Sequence, residues 1–132
     1  TIKRMVKNNI DVTKATVGIL GITFKENCPD IRNSKIIDVI KEFDQWGIKV
    51  VVCDPWANPE EVKDEYGIEL GLVSVEHPVD SLVVAVGHNE FRSLSAEELR
   101  GFVRGENPVF IDVKSLFDRA EIQAQGFTVF RL

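Results

Sequence analysis

Cysteine and histidine are scarce in this 132-residue sequence, which contains two of each. The two thiols, Cys28 and Cys53, are too few for a disulfide framework. Their spacing from His77 and His88 does not match a metal-binding motif. We therefore expect reduced thiols and no metal site.

Excess positive charge and long apolar runs are also lacking. Lys and Arg number 16 against 21 Asp and Glu, which gives a formal net charge of −5. A sequence-independent nucleic-acid binder needs clustered cations to displace counterions from phosphates. No stretch approaches the roughly 20 apolar residues of a membrane span, and the N-terminus lacks the apolar core of a signal peptide. The sequence thus predicts a cytoplasmic protein without nucleic-acid binding or membrane insertion.

What is present is the composition of an ordinary globular domain. Hydrophobic residues make up 44% of the chain and charged residues 28%, which excludes a disordered, collagen-like or coiled-coil chain. Residues 1–14 place cations around apolar side chains such as Ile2 and Met5, as in the tail of a longer helix followed by a linker. Because the chain opens on Thr1 rather than on methionine, we expect 15–132 to be one domain excised from a longer protein.

Short apolar runs alternate with amphipathic segments along the chain. The runs predict strands at 16–20, 49–53, 81–86, 108–113 and 127–131, with a weaker strand at 69–73. Helical spacing predicts helices at 36–46, 59–66, 95–103 and 116–125. Asn33 or Ser34 can cap the first helix, and Ser95 with Glu98 forms a capping-box pattern. The predicted fold class is α/β: a Rossmann-like, doubly wound, mainly parallel sheet of about five to six strands with helices on both faces.

The loop after the first predicted strand, residues 21–34, is the main candidate for a ligand site, because such sheets bind ligands at the carboxyl ends of their strands. The loop lacks the G-x-G-x-x-G spacing, so we expect no self-sufficient NAD site. Lys25 and Arg32 flank a helix N-terminus, an arrangement that suits a phosphate or diphosphate. Equally, these cations are interpreted as solvated charges that pair with Glu26 and Asp30.

Other polar and aromatic residues at strand ends carry weaker predictions. His88 either lines the cleft or, as we favour, is a cap or is bonded to backbone. Asp54 follows the second strand, where Rossmann domains bind a ribose hydroxyl, but we favour a turn-forming Asp before proline. Asp112 is expected to hold the loop that follows it. Trp56 either stacks on a ring or covers the sheet edge, and Cys28 is interpreted as incidental.

Residues 21–35 resemble a known signature. They match the pattern G-x-x-[FY]-K-x-x-x-x-D-x-R-x-S, which opens the C-terminal domain of UDP-glucose/GDP-mannose dehydrogenases. Within this pattern, the motif E-N-C-P-D-x-R-N-S is most similar to the bacterial branch that oxidises UDP-N-acetylhexosamines, the Vi-polysaccharide and O-antigen type. Segments 54–55, 86–91 and 111–114 also resemble the family, so the likeness covers essentially the whole chain.

The resemblance implies roles for four residues. Phe24 and Lys25 match a Phe-Lys pair that lies against the nucleotide sugar, and Arg32 matches an arginine that in some members reaches the NAD of a neighbouring subunit. Lys114 lies beside the position of a substrate-binding arginine in some members, but Ser115 occupies that position here. The implied substrate site is therefore Phe24 and Lys25, with Lys114 as an open candidate.

The resemblance also implies what the rest of the enzyme does. In the family an N-terminal domain binds NAD, a central helix forms a dimer, and the C-terminal domain closes over the UDP part of the substrate. Two hydride transfers take a sugar C6 alcohol to a carboxylate through a cysteine-linked thiohemiacetal. The family's catalytic cysteine, base and glycine-rich loop all precede the region matched here, so we expect no catalytic residue in this chain and no activity from it alone. The full enzyme is expected to be a homodimer or larger.

A freestanding flavodoxin-like binding or signalling module is the alternative prediction, because a parallel sheet suits it equally well. A receiver domain, however, gathers acidic residues at its strand ends to hold a metal. The first strand here ends at Gly21 without an acidic pair.

Overall fold

The computed structural model describes residues 15–32, 34–106 and 108–131, so the predicted helix tail and linker at 1–14 lie outside the described residues. Strands and helices alternate along this part of the chain. The strands are β1 (Thr16–Leu20), β2 (Lys49–Cys53), β3 (Ser81–Val84), β4 (Val109–Asp112) and β5 (Thr128–Arg131). The helices are α1 (Ile36–Gln45), α2 (Pro59–Tyr66), α3 (Asn89–Arg92), α4 (Ala96–Gly101) and α5 (Arg119–Ala124).

The strands form one parallel sheet in the order β2-β1-β3-β4-β5. This order is one of the two common arrangements of doubly wound folds. The chain runs from β1 outward to β2 and then crosses back to β3, so the strand order reverses between β1 and β3. The predicted fold class is confirmed, and the carboxyl ends of β1 and β3 mark the expected ligand crevice.

Two apolar clusters cover the two faces of the sheet, because successive strand residues point to opposite sides. On one face Val17 and Ile19 of β1 lie in a cluster with buried residues of α1 and α2. On the other face Leu20 lies in a cluster with buried residues of α3, α4 and α5, which are Phe91, Leu99 and Ile122. Helices therefore lie on both faces, as predicted.

Side-chain caps explain where three of the five helices in the described ranges begin. Asn58 accepts N–H groups at the start of α2, and Ser95 and Glu98 form the predicted capping box of α4. Helix α5 begins later than predicted because Asp118 accepts the N–H groups of its first turn. The cap predicted for α1 is wrong for Ser34, since Lys35 takes that position without a side-chain cap bond, and Asn33 lies outside the described residues.

Two strand predictions need correction. The weak strand at 69–73 is reduced to a single bridge between Leu70 and Val52, and the chain beyond Gly71 exposes Leu72 to solvent. The predicted strand at 81–86 ends at Val84, because the N–H groups of Ala85 and Val86 both donate to the carbonyl of Leu20. This convergence on one acceptor ends the regular ladder and begins the loop after β3.

Within the described ranges, no helix is long and apolar enough to cross a membrane.

Gly21 allows the loop after β1 to approach the loop after β3. Its φ is +106°, and a Cβ atom at this position would lie 2.6 Å from the Cβ of Val86. Both the dihedral angle and the space therefore require glycine at the point where the chain leaves β1.

We expect Gly21→Ala to lower the free energy of unfolding by about 3 kcal/mol, the sum of backbone strain and overpacking. Gly47→Ala is the matched control, because Gly47 has φ +73° but open space around its Cβ position. That variant should lose only about 1 kcal/mol. Urea unfolding of both variants measures the difference, and equal losses would contradict the close approach at Gly21.

Candidate functional site

The candidate site lies where the loops after β1, β2 and β3 meet at the carboxyl edge of the sheet. Three buried polar side chains join these loops: Thr23, Asp54 and His88, which are 2%, 7% and 0% exposed. Each follows a different strand, so their contact depends on the parallel register that brings the strand ends together. We describe these three residues as the polar cluster.

Asp54 is the acceptor at the centre of the polar cluster. Its Oδ2 accepts the N–H groups of Ile22 at 2.7 Å and Thr23 at 3.1 Å. Its Oδ1 accepts the N–H groups of Trp56 at 2.8 Å and Ala57 at 3.2 Å. The bonds to Trp56 and Ala57 confirm the turn predicted for an Asp before proline. The bonds to Ile22 and Thr23 hold a loop that lies more than 30 residues away in sequence. Both oxygens are occupied by the protein itself, so this position does not fit the ribose of an NAD bound on this sheet.

The Asp54 carboxylate keeps its charge despite its burial. Burial alone raises the pKa of Asp54, but hydrogen bonds from His88 and from the N–H groups of Ile22 and Trp56 outweigh it, so the pKa lies below its ordinary value. An ionised carboxylate with several donors is a stable anchor in a buried position.

His88 connects the carboxylate to the loop after β1. Its Nε2 lies 3.0 Å from both Asp54 Oδ2 and Thr23 Oγ1, and its Nδ1 accepts the N–H of Asn27 at 2.8 Å. His88 also caps α3, whose first turn includes N–H groups donating to its carbonyl. The favoured prediction for His88, a histidine bonded to backbone, is confirmed.

Trp56 covers the polar cluster on its outer side. Its ring stacks on the His88 ring with centroids 6.0 Å apart and an angle of 27° between the planes. Its Nε1 donates to Oε1 of Glu90 at 3.0 Å, and the residue remains 36% exposed. Trp56 stacks on the ring of His88 and also covers the carboxyl edge of the sheet, so neither of the two alternatives left open for it is excluded.

The loop after β1 presents Phe24 and Lys25 outward. Phe24 is 55% exposed and Lys25 is also exposed. Their backbone is held from within: the N–H of Phe24 donates to the carbonyl of Asp30, and the hydroxyl of Thr23 donates to the carbonyl of Lys25. An ordered backbone thus carries one exposed aromatic ring and one exposed cation at the predicted ligand edge.

Arg32 lies in the same loop but pairs within it. Its guanidinium makes two hydrogen bonds to the Asp30 carboxylate, at 3.0 and 3.1 Å. The side-chain hydrogen bond from Arg32 lowers the pKa of Asp30 below its ordinary value. The Arg32 side chain is nevertheless 81% exposed, so a pair of this kind contributes little to stability. The interpretation of Arg32 as a charge paired with Asp30 is confirmed for this conformation.

The loop after β4 brings Lys114 to the same edge. Asp112 accepts the N–H groups of Leu116 and Phe117, each at 2.9 Å, which confirms its predicted role in holding the loop. Lys114 is exposed on this loop. A Cβ at Gly87 would lie 3.1 Å from Leu116, so the loops after β3 and β4 are in close contact.

Sequence reasoning missed the pairing of Asn27 with Asn89. Asn27 has φ 52°, in the left-handed region where asparagine is tolerated, and its Oδ1 accepts the N–H of Asn89 at 2.9 Å. Its Nδ2 donates to Asn89 Oδ1 at 3.2 Å. The contact joins positions 62 apart, and no local pattern indicates it.

Neither thiols nor other groups form a metal site in the described part of the chain. Cys28 and Cys53 are free and half-buried. No group of three or more His, Cys, Asp and Glu residues could hold a metal ion among the residues that the structure describes.

A separate groove of about 510 Å³ is lined by Thr16, Lys49 and Arg104, among others, and lies toward the opposite edge of the sheet from the polar cluster.

We expect Asp54→Asn to lower the free energy of unfolding by about 3 kcal/mol at pH 7, because buried donors lose a charged acceptor. Since the pKa of Asp54 is lowered on folding, its contribution is complete above the unfolded pKa of about 3.9 and is lost as the pH falls through the folded pKa. The gap between wild type and variant should therefore be constant above about pH 5 and shrink below about pH 4.

Denaturant unfolding between pH 2.5 and 8 measures this gap. Asp64→Asn is the control, because Asp64 is exposed on α2, and it should track the wild type throughout. A gap for Asp54→Asn that is unchanged between pH 8 and pH 2.5 would contradict the role of the ionised carboxylate.

Comparison with known proteins identifies the family. A family model described as "UDP-glucose/GDP-mannose dehydrogenase family, UDP binding domain" matches residues 18–119. UDP-N-acetyl-D-glucosamine 6-dehydrogenase of Salmonella typhi is 48% identical over 114 residues, which are 86% of this chain and 26% of that protein. The protein of the same name from Pseudomonas aeruginosa is 40% identical over 117 residues, 89% of this chain and 28% of that one. The chain thus spans about a quarter of the length of these curated relatives.

Solved structures agree on the fold. An NDP-N-acetyl-D-galactosaminuronic acid dehydrogenase from Methanosarcina mazei Go1 superposes with a TM-score of 0.83 at 24% identity, over 98% of this chain and 27% of that one. The family match covers the loop after β1, the polar cluster and the loop after β4. The chain therefore belongs to the UDP-glucose/GDP-mannose dehydrogenase family and matches its UDP binding domain.

Proposed function

We propose that this chain is the UDP-sugar-binding domain of an NAD-dependent UDP-N-acetylhexosamine 6-dehydrogenase that serves bacterial surface-polysaccharide synthesis in the cytoplasm. The observation that carries the proposal is the exposure of Phe24 and Lys25 on a loop whose backbone is fixed from below by the polar cluster. The names of the curated relatives from Salmonella typhi and Pseudomonas aeruginosa support the choice of sugar class.

In this proposal Phe24 packs against the bound nucleotide sugar, and Lys25 compensates the negative charge of its diphosphate. Placing the cation on an ordered loop reduces the entropy lost when the ligand binds. Lys114 is a further candidate for contact with the ligand, because its loop reaches the same edge through the contact of Leu116 with Gly87. The position of Ser115 at φ 54° shapes this loop independently of any ligand.

Arg32 is proposed to contact NAD bound by a neighbouring subunit of the full enzyme. Its 81% exposure leaves the guanidinium accessible, and its partner Asp30 orients it by two hydrogen bonds. NAD supplies the hydride acceptor of the reaction. Both oxygens of Asp54 already accept backbone N–H groups and do not face a ribose, which supports a cofactor bound mainly by another domain.

The proposed enzyme carries out its chemistry outside this chain. A domain at 15–132 would bind the UDP part of the substrate and, on closure, exclude water from the site of two hydride transfers. Residues 1–14 would form the end of the helix that links the domains, and the full enzyme would be a homodimer or larger. The isolated chain is then inactive as a dehydrogenase.

The alternative of a freestanding flavodoxin-like module draws only on strand order, since β2-β1-β3-β4-β5 is also the order of that fold. Its metal-binding form would need an acidic cluster at the strand ends. In the described ranges, the carboxylates that end β2 and β4 instead accept backbone N–H groups of their own loops. The family match favours the dehydrogenase domain.

We expect UDP to shift the amide NMR signals of Phe24, Lys25 and the Lys114 loop in a saturable manner, whereas ADP and NAD at equal concentration do not. Lys25→Ala should weaken UDP binding about tenfold, because a charged hydrogen bond to phosphate is lost. Lys41→Ala is the control, since Lys41 is an exposed cation on α1, and it should bind as the wild type does. Equal weakening in both variants, or equal shifts from all three nucleotides, would contradict the proposed site.

A further inference from the structure

We propose that His88 is a positioning residue for ligand binding, whose neutral imidazole holds the Phe24-Lys25 loop in the conformation that receives the nucleotide sugar. This inference rests on the proposed function, because it assigns to that site a residue that does not itself contact the ligand.

The neighbours of His88 fix its tautomer. A backbone N–H can only donate, so the contact from Asn27 requires Nδ1 to be an unprotonated acceptor. The remaining hydrogen is then on Nε2, which faces Asp54 Oδ2 and Thr23 Oγ1, each at 3.0 Å. Both oxygens can accept it, since the Thr23 hydroxyl hydrogen is directed to the carbonyl of Lys25. The ring is therefore neutral, with one acceptor and one donor edge.

The two edges of the ring bracket the proposed ligand-binding residues. The donor edge contacts Thr23, and the acceptor edge contacts Asn27, so the three residues 24–26 between them span from one side of the ring to the other. Asn27 adopts φ 52° at the second contact, where its side chain also pairs with Asn89. Loss of the acceptor edge would leave the backbone N–H of this left-handed residue without its imidazole partner, so the side-chain pairing with Asn89 would have to hold the turn.

The surroundings make this ring a fixed element and not a surface group. His88 is fully buried, the rings of Trp56 and Phe91 pack on it at centroid distances of 6.0 and 5.6 Å, and Asp54 is the charged group in hydrogen-bond contact with it among the described residues. Glu90 accepts the indole N–H of Trp56, the residue that stacks on the ring. The imidazole thus connects the Asp54 carboxylate to the exposed loop through hydrogen bonds on both edges of the ring.

Two variants test the two hydrogen-bonding edges of the ring separately. His88→Asn places an amide oxygen near the position of Nδ1 and can still accept the N–H of Asn27. His88→Gln places an amide NH₂ near the position of Nε2 and can still donate to Asp54. Both remove the same aromatic contacts with Trp56 and Phe91, so each is the control for the other in lost packing.

We expect His88→Asn to bind UDP within about threefold of the wild type and His88→Gln to bind about tenfold more weakly, at similar melting temperatures. Amide hydrogen exchange of Asn27, measured without ligand, should stay slow in the Asn variant and become fast in the Gln variant. Asn27 protection that is the same in both variants, or equal UDP affinity in both, would overturn the inference.

The wild-type protein supplies a test that does not depend on the folding of either variant. Long-range ¹⁵N–¹H NMR of the His88 ring should show hydrogen on Nε2 and an acceptor Nδ1, and the opposite tautomer would overturn the inference. Wild-type protein that shows this tautomer and a protected Asn27 amide but does not bind UDP would refute the proposed function, and with it the ligand-binding role of His88, while leaving its hold on the loop intact.

Discussion

The buried carboxylate of Asp54 is the interaction on which the rest of this site depends. Doubly wound sheets bring the ends of their strands to one edge, but the loops that follow have no regular hydrogen bonds to hold them. Asp54 supplies these bonds by accepting backbone N–H groups from its own turn and from the loop after β1, together with the His88 ring. One charge, compensated by several donors, therefore fixes the relative positions of the loops after β1, β2 and β3.

The buried carboxylate of Asp54 lies beneath exposed cations, which share this edge of the sheet with the exposed carboxylates of Glu26 and Glu90. The anion of Asp54 is buried below the loop, whereas Lys25 and Lys114 are exposed at the same edge of a domain whose formal net charge is −5. Because Asp54 is already bonded to backbone donors and to His88, it leaves Lys25 and Lys114 available to an anionic ligand. The family model that matches the chain is described as a UDP binding domain. The diphosphate of UDP is negatively charged, opposite in sign to these lysines.

Local sequence patterns predicted the elements of the fold well and the contacts between loops poorly. Strand runs such as 49–53 and the capping box at Ser95 are signals confined to a few residues, and both were confirmed. The bridge at Leu70 could not be distinguished from a strand, because pairing depends on the partner strand and not on the run itself. The turn at Asp54 and the loop held by Asp112 followed from the positions of these residues before turns, but the bonds of Asp54 to the loop after β1 did not. The bonds of His88 to Thr23 and Asn27 join residues over 60 positions apart, and only the assembled sheet brings them together.

The central claim is that the edge formed by the loops after β1, β3 and β4 receives the diphosphate of a UDP-sugar. A crystal structure of this chain with UDP tests it most directly. The account predicts diphosphate density beside Lys25 and the ring of Phe24, with the hydrogen bonds of Asp54 and His88 the same as in the chain without ligand. UDP bound instead in the groove near Lys49 and Arg104, at the opposite edge of the sheet, would contradict it.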